Sequence, residues 1–241
     1  MQQRILVTGA NRGIGLAFVA HYLAEGARVW ACCRQPQGAE ALQALQAKAE
    51  NAGRLSIVAL SVGEEASVKA CRETVGAETD ALDLLINNAG TFAPDGDGLM
   101  KQCGEALADV FATNTIGPVI VTRSFADLLA KGTAPRTFSL TSGAGRLGKA
   151  LPAAGAQYAY PSSKAALQLM IVRMAADLKA AGIIVCGMGP GFVRTDMTAG
   201  VDPPPPLTPA QSVASMARVA AAWTPEHTGT FWTWDGQAQV P

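Results

Sequence analysis

Short apolar runs alternate along this chain with longer, Ala-rich stretches whose apolar residues recur at helical spacing. The short runs span residues 4–8, 28–33, 55–60, 82–86, 136–141, 183–188 and 230–234. Most of them are apolar throughout, as strands are when both faces of a sheet are covered. Regular alternation of strand and helix builds parallel β-α units, so we predict an α/β fold: one doubly wound sheet of seven parallel strands, with helices on both faces. Ligands of such sheets bind at the carboxyl ends of the strands.

Length and charge narrow the class of protein further. A chain of 241 residues is long enough to bury a full core, and no change in composition divides it, so we predict a single domain over 1–241. Nineteen Lys and Arg balance nineteen Asp and Glu without a block of like charges, which disfavours nucleic acid and anionic membranes as partners. The first apolar run is too short for a signal peptide and no run approaches a membrane span, so we expect a cytoplasmic protein.

The cysteines and a run of prolines favour structural interpretations. The cysteines have neither a C-x-x-C pair nor a metal-ligand spacing, so we expect reduced, buried thiols and no metal site; they are Cys32, Cys33, Cys71, Cys103 and Cys186. Four prolines at 203–206 lie within a stretch, 197–208, that has neither a strand nor a helix pattern. We interpret them as a stiff connector, with a lid over a binding pocket as the alternative.

A glycine-rich turn follows the first predicted strand and opens an amphipathic helix. Gly9, Gly13 and Gly15 have the spacing G-x-x-x-G-x-G in TGANRGIG. Glycine suits such a turn because the chain bends sharply, backbone N–H groups must approach a pyrophosphate closely, and the positive end of the helix dipole attracts the phosphates. The turn therefore indicates a dinucleotide site, although a glycine-rich turn is also a simple way to pack a helix on a sheet.

The end of the second strand indicates which dinucleotide is bound. An acidic side chain there would accept a hydrogen bond from a ribose 2′-hydroxyl, but the strand ends in Cys32-Cys33-Arg34. We expect Arg34 to converge with Arg12, which lies in the glycine turn, on a 2′-phosphate, because the planar guanidinium fork suits phosphate. The sequence thus favours NADP(H) over NAD(H). The alternative is that both arginines are exposed turn residues.

Candidate catalytic side chains follow the later strands. Tyr160 and Lys164 are four residues apart in YPSSK and share one face of a predicted helix, where a nearby ammonium group favours the tyrosine phenolate. Ser142 follows the strand at 136–141, NNAG at 87–90 follows the strand at 82–86, and Asn114 opens the motif NTIG. Each of these signals alone is common in loops or on surfaces. Together, at the ends of successive strands, they describe a pocket.

These motifs, in this order, resemble the short-chain dehydrogenase/reductase family. TGANRGIG, NNAG, NTIG, TSGAG, YPSSK and PGFVRTDM match the motifs of the family between Val7 and Met197. The resemblance implies a Rossmann-like fold and a catalytic tetrad, in which the tyrosine and the lysine also contact the cofactor: Asn114, Ser142, Tyr160 and Lys164. The other implied cofactor contacts are Gly9, Asn11, Arg12 and Ile14 at the phosphates, Asn88, Ala89 and Gly90 at the adenosine ribose, and Pro190, Gly191, Val193 and Thr195 at the nicotinamide.

Within the family, the chain looks most like the C-factor and sniffer-type carbonyl reductases, which are compact, NADP-linked members. The long interval between Ser142 and Tyr160, the segment QYAYPSSKAAL and the ending TGTFWTWDGQAQVP carry this resemblance. Two positions depart from the family pattern. Ser61 and Val62 stand where Asp followed by Val or Leu commonly meets the adenine, and Thr141 replaces the first of two serines. We therefore expect adenine recognition by Ser61 and Val62 to be weaker or made differently.

The function implied is reversible hydride transfer between the nicotinamide C4 and a carbonyl or secondary alcohol carbon. Tyr160 is the expected general acid/base, Ser142 donates a hydrogen bond to the substrate oxygen, and Lys164 holds the ribose. The main-chain carbonyl of Asn114 is expected to anchor a water in a proton relay. The alternative is a regulatory or cell-signalling protein of the C-factor type that binds NADP but turns over little. A third interpretation, a Rossmann-like scaffold that binds no cofactor, would require all of these motifs to occur by coincidence.

The expected substrate is a small, uncharged and apolar carbonyl or alcohol compound. Candidate pocket walls at 91–100, 143–157 and 192–207 are rich in small or apolar residues, although ordinary loop packing is the alternative explanation. We assign three late tryptophans to the core or to a subunit contact: Trp223, Trp232 and Trp234. The family resemblance favours a homodimer or homotetramer, although compact relatives can be monomers.

Overall fold

A single twisted sheet runs through the protein. The computed structural model describes residues 2–92, 99, 103–147 and 157–239. Its strands are β1 (Arg4–Thr8), β2 (Arg28–Cys33), β3 (Leu55–Ala59), β4 (Leu84–Asn87), β5 (Arg136–Leu140), β6 (Ile184–Gly189), β7 (Phe231–Thr233) and β8 (Ala238–Gln239). Their order across the sheet is β3-β2-β1-β4-β5-β6-β7-β8, and only the last pairing, of β7 with β8, is antiparallel within the described residues. The strand order reverses between β1 and β4, which places the ligand-binding crevice there.

Helices connect the strands and cover the sheet. The α-helices in the described ranges are α1 (Gly13–Ala24), α2 (Glu40–Gln46), α3 (Glu65–Gly76), α4 (Gly104–Phe111), α5 (Gly117–Leu129), α6 (Ala159–Leu178) and α7 (Pro209–Ala221). A π-helical turn, Ala112–Ile116, joins α4 to α5. None of these helices combines the length and the apolar character needed to cross a membrane.

Apolar side chains fill both faces of the sheet. On one face, Phe18 of α1 and Trp223 pack with Phe138 of β5. On the other face, Trp30 of β2 lies in one cluster with Phe125 of α5 and side chains of α3 and α6. Burial on both faces explains why most strands are apolar throughout, and it confirms the predicted doubly wound α/β class with helices on each side.

All seven predicted strands are present, with observed bounds that differ from the predicted ones by at most two residues. The predicted sheet of seven parallel strands was incomplete, because β8 adds an antiparallel edge strand. Two residues, one small and one polar, carry no periodic signal that could have predicted it.

The cysteines and tryptophans are placed largely as expected. Four cysteines are buried and reduced, but Cys103 is exposed, because it lies just before α4 rather than on an apolar face. Trp223 belongs to the core, and Trp232 and Trp234 are partly buried against the same cluster.

At the amino-terminal edge of the sheet, the buried carboxylate of Asp83 joins three segments. Its two oxygens accept hydrogen bonds from the Arg4 guanidinium at 2.9 and 3.1 Å, and it also accepts from the backbone N–H groups of Arg4 and Thr133. Burial alone would raise the pKa of Asp83, but these hydrogen bonds outweigh it and lower the pKa below its ordinary value. The group therefore stabilises the fold above its unfolded pKa of about 4, and this contribution is lost as pH falls through the lowered pKa.

We expect Asp83→Asn to destabilise the protein by about 3 kcal/mol at pH 7, because it removes one partner of a buried ion pair. Urea unfolding measures the effect, and the variant should also lose stability less steeply below pH 4 than the wild type. Asp127→Asn is the matched control, because Asp127 pairs with Arg72 at 2.5 Å but is more than half exposed. Equal stability of the two variants would contradict this assignment.

Candidate active site

Three predicted catalytic side chains meet at the carboxyl end of β5. Ser142 follows this strand and begins the one-turn 3₁₀ helix Gly143–Gly145, while Tyr160 and Lys164 lie in the first turns of α6. The turn packs directly on the helix, because a Cβ on Gly145 would lie 2.6 Å from the backbone N of Ala165. The missing side chain of Gly145 thus brings Ser142 close to the start of α6.

Tyr160 is partly buried, and its hydroxyl lies near that of Ser142. Burial raises the pKa of Tyr160 above its ordinary value, and the nearby Ser142 hydroxyl opposes this by lowering it. The oxygen of Ser142 accepts from the backbone N of Ala144 at 3.2 Å, and its single proton is free to point toward Tyr160 or a ligand. At neutral pH Tyr160 is therefore protonated.

Lys164 is 4% exposed, and its ammonium group donates to the carbonyl oxygen of Leu140 at 2.8 Å. Burial lowers the pKa of Lys164 to about 8. Its Nζ lies 5.8 Å from the centre of the Tyr160 ring. Burial of the phenol dominates the pKa of Tyr160 in this structure, and Ser142 is the group that opposes it. The expected effect of Lys164 on that pKa stays a prediction.

Asn114 is fully buried on the π-helical turn, and its side chain is completely engaged. Oδ1 accepts from the backbone N of Thr91 at 2.8 Å, and Nδ2 donates to the carbonyl of Thr91 and to Oγ of Ser163. Ser163 in turn donates to the carbonyl oxygen of Tyr160 at 2.8 Å. The Asn114 side chain therefore ties the loop after β4 to α6, and only its main chain is left for a relay.

The glycine turn after β1 packs closely on itself and on the loop after β4. Gly9 and Gly13 have φ angles of +62° and +55°, which disfavour a side chain. A Cβ on Gly9 would lie 2.8 Å from Cα of Ala89, and one on Gly15 would overlap the carbonyl oxygen of Gly9. Because α1 begins at Gly13, the first backbone N–H groups of the helix have no partner within it and could bind a phosphate group.

The predicted residues after β4 brace this turn. Asn88 donates from Nδ2 to the carbonyl oxygens of Thr8 and Gly9 at 2.8 and 2.9 Å. The backbone N–H groups of Asn88 and Ala89 both donate to Oγ1 of Thr8. Gly90 lies beside the catalytic cluster, since a Cβ there would be 3.5 Å from Oδ1 of Asn114 and 3.8 Å from Nζ of Lys164.

The side chains predicted for the adenosine end lie after β1, β2 and β3. Arg34 is exposed at the end of β2, and in the described part of the chain no acidic group pairs with it. Ser61 follows β3 and donates its backbone N–H to Oγ of Ser67, while Val62 is buried where α5 begins. Asn11 is exposed, and Ile14 packs against the core.

The guanidinium of Arg12 contacts the carboxylate of Asp196, Nη1 to Oδ2, at 2.6 Å. The convergence of Arg12 and Arg34 on a 2′-phosphate stays a prediction. Asp196 lies in the segment between β6 and α7, on the opposite side of the crevice.

That segment carries the predicted nicotinamide contacts. The carbonyl of Pro190 accepts from Oγ of Ser212 at 2.6 Å, which anchors the segment to α7. Gly191 has a φ of +80°, and a Cβ there would lie 2.6 Å from Cδ1 of Trp234. Val193 is buried and bridges to Leu207, while Thr195 begins the 3₁₀ turn Asp196–Thr198.

The candidate walls are partly visible. Residues 93–98, 100–102 and 148–156 lie outside the described residues, so most of the walls predicted at 91–100 and 143–157 cannot be placed. In the described parts of these walls, three apolar side chains are exposed: Leu147 is 86% exposed, and Phe192 and Met197 are nearly half exposed. The proline run at 203–206 is hydrogen-bonded to the preceding turn, because the Arg194 side chain donates to the carbonyl oxygen of Pro206. A shallow cavity of about 370 Å³ lies between this run and the turn at 194–201.

Some residues that shape the site were not assigned from the sequence. Thr8 accepts hydrogen bonds from the residues that brace the glycine turn. Ser163 links Asn114 to the start of α6, and Asp196 pairs with Arg12. Ser163 lies inside YPSSK, so its place in the motif was a usable signal. Thr8 and Asp196 act on partners about 80 and 184 residues away, and a single sequence contains no signal for such contacts.

Comparison with known proteins places the chain in a family. A family model described as short chain dehydrogenase matches residues 3–205. The structure of NADPH-bound carbonyl reductase from chicken fatty liver is 33% identical, with a TM-score of 0.90 over 100% of this chain and 99% of that chain. Carbonyl reductase Sniffer of D. melanogaster is 25% identical, with a TM-score of 0.88 over 100% of both chains.

A protein named C-signal, from Myxococcus xanthus, is 36% identical over 167 residues, which cover 68% of this chain and 94% of that protein. These similarities confirm the resemblance to the C-factor and sniffer-type carbonyl reductases. Because the family model spans most of the chain and the fold agrees, the chain belongs to the short-chain dehydrogenase family of oxidoreductases.

Proposed function

We propose that the protein is an NADP(H)-dependent carbonyl reductase that also runs in the alcohol-oxidising direction. The observation that carries the proposal is the convergence of Ser142, Tyr160 and Lys164 at the carboxyl end of β5, beside Gly90 and the glycine turn. The NADPH-bound carbonyl reductase from chicken fatty liver, which has the same fold, supports the choice of cofactor and reaction.

The chain's residues fit the cofactor at three places. The bare turn of Gly9, Gly13 and Gly15 would hold the pyrophosphate, and Arg34 the 2′-phosphate. Ser61 and Val62 would lie at the adenine, with Asn11, Ile14 and 88–90 along the phosphates and the ribose. The segment with Pro190, Gly191, Val193 and Thr195 would hold the nicotinamide, which when bound supplies or accepts the hydride.

In the reducing direction, Tyr160 acts as the general acid. Its raised pKa keeps the phenol protonated at neutral pH, so it is ready to give its proton to the substrate oxygen. Ser142 donates its single hydroxyl proton in a hydrogen bond to the same oxygen. Lys164, which is charged below about pH 8, stabilises the phenolate that remains and holds the ribose hydroxyls. The main chain of Asn114 keeps a water in place to return a proton from solvent.

The substrate is a carbonyl compound without charge. The apolar side chains of Leu147, Phe192 and Met197 are exposed in the segments that follow β5 and β6, and an apolar ligand would cover them.

Gly145 is expected to position Ser142 for this reaction. In Gly145→Ala the new Cβ would meet the backbone of Lys164 and Ala165 at 2.6–2.7 Å, so the turn that carries Ser142 must move away from α6. We expect kcat to fall about 10- to 100-fold, as for a displaced catalytic group, with the Kd for NADPH unchanged. Gly104→Ala is the control, because a Cβ there meets nothing within 4 Å. An unchanged kcat in Gly145→Ala would show that the turn does not set the position of Ser142.

The cofactor and the reaction are tested separately. Quenching of tryptophan fluorescence by NADPH and by NADH measures the two dissociation constants, and a panel of uncharged aromatic and aliphatic aldehydes and ketones measures turnover. We expect tighter binding of NADPH and turnover of apolar members of the panel. Preference for NADH would overturn the proposed cofactor, and tight NADPH binding without any turnover would overturn the reaction.

The similarity to C-signal supports a second candidate function, a cell-signalling protein that holds NADP and a protein partner. Pull-down with and without NADPH, beside the turnover assay, separates the two. A partner captured only with NADPH, together with negligible turnover, would favour the signalling function.

A further inference from the structure

An ion pair joins the two loops that flank the cofactor crevice. Arg12 lies in the turn after β1, Asp196 in the segment after β6, and their side chains meet at 2.6 Å. In the order of the sheet, β4 and β5 lie between β1 and β6. The pair therefore bridges three strand spacings, about 14 Å of the carboxyl edge. The residues after β4 and β5, which include Gly90 and Ser142, lie within this interval.

Both partners are held on rigid backbone. Arg12 precedes α1, and its carbonyl accepts from the backbone N of Leu16 at 3.2 Å. Asp196 begins a 3₁₀ turn in which Oγ1 of Thr198 accepts from the backbone N of Thr195 at 3.0 Å and donates to the carbonyl of Val193 at 2.7 Å. The loops also approach each other at Gly13, where a Cβ would lie 3.5 Å from Cγ2 of Thr195. The ion pair thus closes a gap between two preformed walls.

We propose that Arg12 and Asp196 form a clasp over the cofactor crevice, which must open for the cofactor to enter or leave. The proposal rests on the proposed binding of NADPH. A guanidinium group paired with a carboxylate contacts a phosphate only after that pair is broken. Arg34 is exposed at the end of β2, and the part of the chain that the structure describes offers it no competing carboxylate.

The two roles have different signatures. A residue that reads the 2′-phosphate changes the affinity for NADPH and leaves NADH, which has no such phosphate, unaffected. A clasp affects any dinucleotide. Because it must open both for binding and for release, its loss accelerates both steps. The arginine and the carboxylate then behave as one unit, so a double variant is no faster than either single variant.

Stopped-flow tryptophan fluorescence with NADPH and NADH tests the proposal on Arg12→Met, Asp196→Asn and the double variant. We expect the association and dissociation rates of both cofactors to rise about two- to fivefold in all three, as for loss of an exposed ion pair, with the NADPH-to-NADH preference unchanged. Arg34→Met should raise the Kd for NADPH about 10- to 100-fold and leave that for NADH unchanged. Arg123→Met is the control, because Arg123 pairs with Glu65 at the same 2.6 Å distance and similar exposure away from the crevice.

Three outcomes would overturn the clasp. A Kd for NADPH that rises in Arg12→Met while that for NADH is constant would make Arg12 a phosphate contact. Unchanged rates in both single variants would make the pair an ordinary surface contact, and failure to bind either cofactor would overturn the clasp together with the proposed cofactor. Faster cofactor exchange in a protein that reduces no carbonyl compound would support the clasp and overturn only the proposed reaction.

Discussion

Tyr160→Phe lowers kcat/KM for carbonyl reduction about 10³-fold, and it leaves the fold and the affinity for NADPH unchanged. The substitution keeps the ring, which is partly buried, and removes only the hydroxyl, which lies near Ser142. General acid catalysis by a positioned side chain contributes about 10²- to 10⁴-fold, and no other described side chain in this cluster holds a proton in the same position. Initial rates with saturating NADPH measure the loss.

Tyr158→Phe is the matched control for this prediction. Tyr158 lies two residues earlier and is 42% exposed, so loss of its hydroxyl should not change the rate. Wild-type rates in a folded Tyr160→Phe variant that binds NADPH would show that Tyr160 is not the proton donor.

Lys164→Met is expected to lower kcat/KM about 10²- to 10³-fold at pH 7 and to change the pH profile. In the wild type, the rate of reduction should fall as pH rises through about 8, because the buried ammonium group has its pKa lowered to about 8 and loses its charge there. Tyr160 does not produce this fall, because burial raises its pKa above the ordinary value of 10.0. The variant has no charge to lose, so its profile should be flat near pH 8.

Lys179→Met provides the comparison, since Lys179 follows α6 and is exposed. It should keep both the rate and the fall near pH 8. If Lys164→Met retained the fall near pH 8, another group would have to carry that titration.

Most of the fold could be predicted because its signals are local. The strands are short apolar runs, and turn glycines such as Gly9 are required by a positive φ and a close approach of backbone. Periodicity also predicted α6, whose Leu167 and Ile171 are buried, although Met170 on the same stripe is 38% exposed. An apolar pattern therefore locates a helix face more reliably than it fixes the burial of each member. Strand β8 has only two residues, which is too short to show an alternation of apolar and polar side chains.

The candidate site was predictable as a set of residues but not as a set of contacts. Motif spacing assembled Ser142, Tyr160 and Lys164, and the structure brings them together. The partner of Arg12 could not be predicted, because a charge has no preferred partner until the fold brings one near. The pKa of Tyr160 depends on desolvation, which is a property of the packed molecule and has no signal in the sequence.

The most direct test of the proposed reaction follows an isotope from cofactor to product. The protein is incubated with an apolar aldehyde or ketone and NADPH carrying deuterium in both positions at the nicotinamide C4, and the alcohol product is analysed by mass spectrometry. We expect an alcohol with one deuterium on the former carbonyl carbon, formed by the wild type and about 10³-fold more slowly by Tyr160→Phe. An alcohol without deuterium, or no alcohol from a protein that binds NADPH tightly, would contradict the proposed reaction.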